Sequence, residues 1–449
     1  QGDNGTGAVD HTQWVNSAVC GNCHTRIFEE WAGSMHHRNG VSNPYYMVLE
    51  NLAAENVGEE FRVWCMGCHT PQALLSGERK TAGVSRLFEK NGADLRAELE
   101  THLHTIDEGL SCGFCHRTED VQRIATTGGG NASMSIELAN RQTYPGEMST
   151  NPIARWVADR AIRAEPEEHI ASFKPAVLSD PVFCSTCHNE FTPAVGAVTT
   201  STYTEWLASP YANPDGETEY TTCMDCHMHA DIETLGTPIP GQVTDGGPVK
   251  PDYASHYMPG GQYFLVGLRD PKRREMSEQL LKRASKIEAS VRAADSGGDE
   301  LVVRVSNVGA GHNLPTGVAD FRQLWLRVIV TDGNGTTLLS SGTLDDKGHL
   351  DPEARIFNDV FEDGSGHMLG LEFWNYRRSA KDTRIPPKGH RDEVFVLPAD
   401  AKPPFEIDVK LMFRVFPQAV TDLVRKEYPE MPNPEALELH HISRSIGGT

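Results

Sequence analysis

The last third of the chain carries apolar and polar residues in alternation. The alternating runs are short and are separated by turn residues such as DGNG at 332–335. The runs are ELVVRVSNV (300–308), QLWLRVIVTD (323–332), TTLLSSGTL (336–344), RDEVFVLPA (391–399) and FEIDVKLMFRV (405–415). A period of two places apolar side chains on one face of a strand, and several short strands between turns are typical of an antiparallel sandwich. We therefore predict an antiparallel β-sandwich-like domain over residues 285–449.

Residues 1–265 show a different pattern. Short helical stretches alternate with loops rich in Gly, Pro and Asn, such as ATTGGGNAS (125–133). An amphipathic helix with mixed charges over 266–284 is expected to connect the two parts. The predicted fold class is therefore α+β, with a mainly α-helical, loop-rich domain followed by the β-sandwich-like domain.

Composition limits the classes of function. The chain has 449 residues, more than one hydrophobic core usually serves, so two or more domains are expected. No apolar run approaches the roughly 20 residues of a membrane helix. The net charge of −21 argues against nucleic acid as a partner, because nucleic-acid binding needs clustered Lys and Arg.

The ten cysteines form five C-x-x-C pairs, each followed at once by histidine. The motifs are CGNCH (20–24), CMGCH (65–69), CGFCH (112–116), CSTCH (184–188) and CMDCH (223–227). C-x-x-C-H is the attachment motif of heme c, in which two sulfurs bind the porphyrin and the histidine binds the iron. The sequence thus predicts five heme c groups, held by Cys20, Cys23, Cys65, Cys68, Cys112, Cys115, Cys184, Cys187, Cys223 and Cys226. The proximal iron ligands are His24, His69, His116, His188 and His227.

Five porphyrins would supply much of the apolar core that residues 1–265 lack. Covalent heme attachment takes place outside the cytoplasm, so we expect a periplasmic or extracellular protein. We also expect that a signal peptide has been removed, because the chain starts at Gln1 without a charged-then-apolar leader.

One internal repeat stands out. EEWAGSMHHRN (29–39) aligns with TEWLASPYANP (204–214), so that Glu30 matches Glu205, Trp31 matches Trp206 and His36 matches Tyr211. Each copy follows one attachment motif and precedes another, which favours a duplicated heme-pair unit over a coincidence of helix ends.

A six-coordinate iron needs a second axial ligand, usually His or Met. The candidate distal ligands are His36, His104, His169, His256 and His312. His37 is the alternative to His36, and His102 is the rival of His104. His312 lies in the turn NVGAGHNLPTG (307–317) after a predicted strand, so the β domain is expected to contribute a heme ligand.

These motifs resemble a large family of bacterial multiheme c-type cytochromes, whose heme domain is related to the tetraheme cytochrome of nitrifiers. The resemblance is carried by EGLSCGFCH, DPVFCSTCHNE, SHYMPGG and GHNLPTG, and the β tail is similar to that of longer members. It implies electron transfer through closely packed, mostly bis-histidine hemes. It supports His36, His256 and His312 as ligands.

Three functions are compatible with the sequence. The favoured one is an electron carrier whose partners are other redox proteins, acting as donor and acceptor, with homo-oligomers left open and no catalytic residue. The second is an oxidoreductase acting on a small nitrogen or sulfur compound at one open heme, where Tyr211 would be the candidate proton donor. The third is a subunit of an extracellular cytochrome filament. Whether the chain is an enzyme is left open, with the plain carrier preferred.

Overall fold

A computed structural model gives the fold of the chain. It describes residues 9–10, 13–77, 108–122, 129–137, 144–147, 149, 151–192, 196–216, 220–295 and 297–447. The chain forms two compact units. The first comprises Gln1–Gly196 and Thr222–Met276, and the second comprises Ala197–Thr221 and Ser277–Thr449.

Most of the helices are short. In chain order they are α1 (Ser17–Gly21), α2 (Thr25–Ala32), α3 (Met35–Arg38), α4 (Pro44–Val57), α5 (Glu59–His69), α6 (Pro71–Ser76), α7 (Cys112–Cys115), α8 (Pro152–Ala164), α9 (Glu167–Phe173), α10 (Val182–His188), α11 (Thr202–Leu207), α12 (Cys223–His227), α13 (Tyr263–Gly267), α14 (Pro271–Ala284) and α15 (Gln418–Glu427). Helices α4 and α8 begin alike. Asn43 and Asn151 cap them by accepting hydrogen bonds from backbone N–H groups of the first turn, and a proline follows each cap.

Among the described residues of the first unit, the core includes several small clusters. Trp14 belongs to one, Phe28 and Trp31 to a second and Tyr46 to a third. Attachment cysteines pack against these clusters: Cys115 against the first, Cys112 against the second and Cys65 against the third. A flat apolar cofactor bound at the cysteines would therefore adjoin each cluster and enlarge it.

The strands are short in the first unit and longer in the second. Their bounds are β1 (Thr118–Val121), β2 (Met134–Ile136), β3 (Glu190–Phe191), β4 (Val198–Thr200), β5 (Gly241–Gln242), β6 (Val249–Lys250), β7 (Ser285–Ala293), β8 (Asp299–Asn307), β9 (Gln323–Asp332), β10 (Thr337–Ser341), β11 (Arg355–Phe357), β12 (Asp359–Glu362), β13 (Arg378–Asp382), β14 (His390–Val396), β15 (Phe405–Arg414) and β16 (Leu437–Ile446). In the first unit β1 pairs with β2 and β5 pairs with β6, both antiparallel.

The second unit is built on antiparallel sheets. One sheet has the strand order β10-β9-β15-β16, with β11 also paired to β9, and another has the order β14-β8-β7. A hairpin-like pair of β12 and β13 adds a third small sheet.

Burial along the long strands follows the alternation in the sequence. In β15 the side chains of Phe405, Ile407, Val409, Leu411 and Phe413 are at most 2% exposed. The residues between them are mostly more exposed, so one face of the sheet forms the core. The predicted α+β class is confirmed.

In the part of the chain that the structure describes, every helix is too short or too polar to cross a membrane.

Candidate heme-binding site

Each attachment motif lies on, or at the end of, a helical turn. CMGCH ends α5, CSTCH ends α10, and CMDCH is the whole of α12. Residues three and four apart share one face of a helix, so both cysteines and the histidine of C-x-x-C-H point to the same side. All ten thiols are half-buried. The local fold therefore suits covalent attachment of a porphyrin at each motif.

Four of the predicted proximal histidines are fixed through the same ring nitrogen. Nδ1 donates a hydrogen bond to a backbone carbonyl oxygen in each case. The distances are 2.6 Å from His24 to Val243, 2.7 Å from His69 to Asn39, 2.6 Å from His116 to Phe173 and 2.7 Å from His227 to Pro259. A carbonyl oxygen can only accept, so Nδ1 carries the proton and the lone pair lies on Nε2, the nitrogen that binds a metal.

His169 faces His24. Their ring centroids are 6.2 Å apart and the ring planes differ by 13°. Imidazole–metal bonds are about 2 Å long, so two imidazoles on opposite sides of one iron have centroids roughly 6 Å apart. Nδ1 of His169 lies 2.6 Å from Oε1 of Glu147, a carboxylate with 6% of its side chain exposed. This pair fits an iron held at the first motif.

His256 faces His116 in the same way. The centroids are 6.3 Å apart, with 19° between the planes. The backbone N–H of His256 donates to Oε2 of Glu30 at 2.9 Å, which anchors the loop that carries the ring. This pair fits an iron held at the third motif.

His36 faces His188. The centroids are again 6.3 Å apart, and the planes are nearly perpendicular at 74°. His37, the alternative, instead binds the carbonyl of Glu108 at 3.1 Å and packs on Trp31. Gly109 has a φ of +63° and lies against the carbonyls of His36 and His37, where an added Cβ would come within 2.5 Å of both. The geometry thus favours His36 at the fourth motif.

Burial favours the neutral form of five of the site's imidazoles. It lowers the pKa of His36 and His69 to about 4 and that of His256 to about 3. It also lowers the pKa of His24 and His116. Only a neutral imidazole has a lone pair for a metal, so burial prepares these side chains for coordination.

At the second motif, the ring of His69 packs against a tyrosine. The ring of Tyr46 stacks on His69 with centroids 4.1 Å apart and planes 5° apart. The Tyr46 hydroxyl donates to Oε1 of Glu50 at 2.8 Å, and Arg62 binds the other carboxylate oxygen at 3.1 Å. Burial raises the pKa of both Tyr46 and Glu50. The candidates His104 and His102 lie outside the described residues.

His312 and Tyr211 belong to the second unit. Nδ1 of His312 lies 2.9 Å from the carbonyl oxygen of Asn313. The Tyr211 hydroxyl donates to the carbonyl of Val308 at 3.5 Å, and the amine of Lys388 lies 4.7 Å from its ring centroid. His312 stays a prediction as a ligand, and so does the conditional catalytic role of Tyr211.

Thiols of different motifs are neighbours. Cys20 lies beside Cys112, Cys68 beside Cys187 and Cys184 beside Cys223. Cys115 is also close enough to Cys187 for the two thiols to influence each other electrostatically. The first motif therefore adjoins the third, the third adjoins the fourth, and the fourth adjoins both the second and the fifth.

Some residues of the site were not predicted from the sequence. Nothing in the sequence singles out Tyr46, Glu50 or Glu147, because each is defined by a partner distant in the chain. Glu30 and Glu205 were marked by the internal repeat, although only as matching positions.

Comparison with known proteins finds a structural similarity but no sequence match. The chain matches no family model and no curated protein sequence. It is similar to the crystal structure of a penta-heme cytochrome c552 from Thermochromatium tepidum, with a TM-score of 0.59 and 20% identity over 97% of this chain and 100% of that chain. The chain has a multiheme cytochrome fold. At this identity the likeness concerns the fold alone, and the relation to the nitrifier tetraheme cytochrome stays a prediction.

Proposed function

We propose that this chain is an electron-transfer protein that binds five heme c groups, mostly between two histidines. The single observation that carries the proposal is the set of three histidine pairs at 6.2–6.3 Å. Two protein ligands on an iron leave no position for a substrate, which supports a carrier over an enzyme.

The ligand assignment follows from the pairs. His169 serves the first motif, His256 the third and His36 the fourth. His312 and His104 are proposed for further irons. When bound, heme supplies reversible one-electron chemistry, and its potential depends on the axial ligands and their hydrogen bonds. The chain contributes by fixing ring tautomers and by burying imidazoles such as those of His36 and His256, which favours their neutral form.

The spacing of the attachment motifs supports a relay. Thiols of the first motif lie near those of the third, thiols of the third near those of the fourth, and thiols of the second and fifth near those of the fourth. Hemes attached at neighbouring thiols are close enough to exchange electrons. We propose redox proteins as donor and acceptor. The periplasm or the extracellular space is the proposed location, since covalent heme attachment takes place there.

A reductive titration of the purified holoprotein tests the proposal. Intact mass should show five hemes per chain. Small redox mediators should load five electrons per chain and remove them again without added substrate. Fewer than five hemes in fully matured protein, or hemes that fail to exchange electrons with the others, would contradict the proposal.

A further inference from the structure

The two copies of the sequence repeat make matching hydrogen bonds. Glu30 and Trp31 lie on α2, and Glu205 and Trp206 lie on α11. Glu30 is 2% exposed, and 7% of the Glu205 side chain is exposed. A buried carboxylate is costly unless its oxygens accept hydrogen bonds, so the partners of each one define its role.

Glu30 binds the loop of a distal ligand. Its Oε2 accepts hydrogen bonds from the backbone N–H of His256 and from the Tyr253 hydroxyl, both at 2.9 Å. Its Oε1 accepts from Nε of Arg26 at 2.9 Å. One carboxylate oxygen thus holds the ligand loop, and the other is neutralised by a guanidinium.

Trp31 binds the opposite side of the same heme site. Its indole N–H donates to the carbonyl of Leu110 at 2.7 Å. Leu110 stands two residues before Cys112, in the motif whose His116 faces His256. Two adjacent residues of α2 therefore fix the proximal and the distal segment of one site.

Within the second unit, Glu205 accepts hydrogen bonds that correspond to those of Glu30. Its Oε2 accepts from the backbone N–H of Asn313 at 3.1 Å and from the Thr316 hydroxyl at 2.6 Å. Asn313 directly follows His312. The other carboxylate oxygen of Glu205, Oε1, accepts a hydrogen bond from Nη1 of Arg384 at 2.6 Å.

Trp206 makes the hydrogen bond that corresponds to that of Trp31. Its indole N–H donates to the carbonyl of Thr221 at 2.9 Å. Thr221 stands two residues before Cys223, as Leu110 stands two residues before Cys112. The copies thus share a ligand-loop N–H, a hydroxyl, a guanidinium and a pre-motif carbonyl.

We propose that Glu30 and Glu205 are positioning residues for the distal ligands His256 and His312. Each carboxylate fixes the backbone of the ligand loop, while the adjacent tryptophan fixes the chain before an attachment motif. The proposal rests on the histidine ligation proposed above. It gives the Glu-Trp repeat a function that belongs to heme coordination rather than to helix packing.

Glu30→Gln tests the proposal because glutamine keeps the size but removes the charged acceptor. A hydrogen bond to a charged group is strong enough that its loss should let cyanide displace His256 at a roughly tenfold to hundredfold lower concentration. Cyanide titration of the oxidised holoprotein, followed by electron paramagnetic resonance, measures this displacement.

Glu29→Gln is the matched control, since Glu29 is the preceding residue of the same helix and its side chain is exposed. Identical cyanide titrations for the two variants would overturn the proposal. His256→Ala tests the ligation by His256 separately from the positioning role of Glu30. If it leaves every iron low-spin, the ligation itself is wrong. If it gives one high-spin iron while Glu30→Gln matches Glu29→Gln, only the positioning role fails.

Tyr253→Phe keeps the test decisive if Glu30→Gln does not mature. It preserves the carboxylate and removes one hydrogen bond to the same oxygen, so a smaller shift in the same direction is expected, and no shift overturns the role of Glu30.

For the second copy, Glu205→Gln should ease cyanide binding at the iron that His312→Ala converts to high spin. Glu406→Gln, an exposed site on β15, is its control, and equal titrations there overturn the role of Glu205.

Discussion

At the scale of single residues, the hydrogen bond on the second ring nitrogen distinguishes one histidine from another. The proximal rings of His24, His69, His116 and His227 donate to neutral carbonyls, whereas His169 meets the carboxylate of Glu147. A carboxylate partner makes an imidazole a more basic ligand, which stabilises the oxidised iron. The iron proposed to bind His169 is therefore expected to have a reduction potential that Glu147 lowers.

Glu147→Gln should raise that potential. If the charge contributes about 1.5 kcal/mol to the difference between oxidation states, the shift is about 60 mV for one electron. A potentiometric titration of the holoprotein measures it. Glu168→Gln, an exposed position on the helix that carries His169, is the control. Unchanged potentials in Glu147→Gln would show that this carboxylate does not tune the iron.

The choice between His36 and His37 gives a second test at this scale. His36→Ala should convert one heme from low spin to high spin while all five remain covalently bound, because it removes the ring opposite His188. His37→Ala should leave the spin states unchanged, since that ring binds Glu108 and Trp31. Electron paramagnetic resonance of the two variants decides, and the opposite outcome would make His37 the ligand.

At the scale of elements, Asp320 in the second unit is a half-buried acid with one carboxylate oxygen shielded from solvent. Asp320 lies in a short turn before β9, and its Oδ1 is inaccessible to solvent with no hydrogen-bond partner. Burial raises the pKa of Asp320 to about 7, although Arg322 is nearby. The folded state thus holds a proton here that the unfolded chain would release near pH 4.

The pH dependence of stability follows from that shift. The contribution of Asp320 is fully present below pH 4 and is lost as pH rises through about 7. Asp320→Asn should therefore be more stable than the parent at pH 8, by about 1–2 kcal/mol, and nearly equal to it at pH 4. Thermal unfolding followed by circular dichroism measures this. The exposed Asp346→Asn is the control, and equal midpoints for both variants at pH 8 would refute the shift.

Local patterns predicted the elements better than they predicted the site. The alternation in FEIDVKLMFRV became β15 with every second residue buried, because strand burial has the same period as the sequence. The partner of a heme ligand has no such local signature. His24 and His169 are 145 residues apart in the sequence and face each other only in the folded chain. The sequence offered the candidates, and the fold paired them.

At the scale of the whole molecule, five attachment motifs in one chain are useful only if neighbouring hemes exchange electrons. The contacts among thiols place the fourth motif beside three others, through Cys187, Cys184 and their partners. The heme proposed at the fourth motif is then the branch point of the proposed relay, and His36 is proposed as one of its two ligands. Loss of that ligand should affect transfer to the second and fifth hemes more than transfer between the first and third.

Electron paramagnetic resonance of the fully oxidised holoprotein at cryogenic temperature, with spin quantitation against the heme content, tests the central claim most directly. The three histidine pairs at 6.2–6.3 Å predict at least three low-spin irons per chain, each with two imidazole ligands. Fewer than three low-spin irons in protein that carries all five hemes would contradict the proposed ligation and, with it, the proposed electron-transfer function.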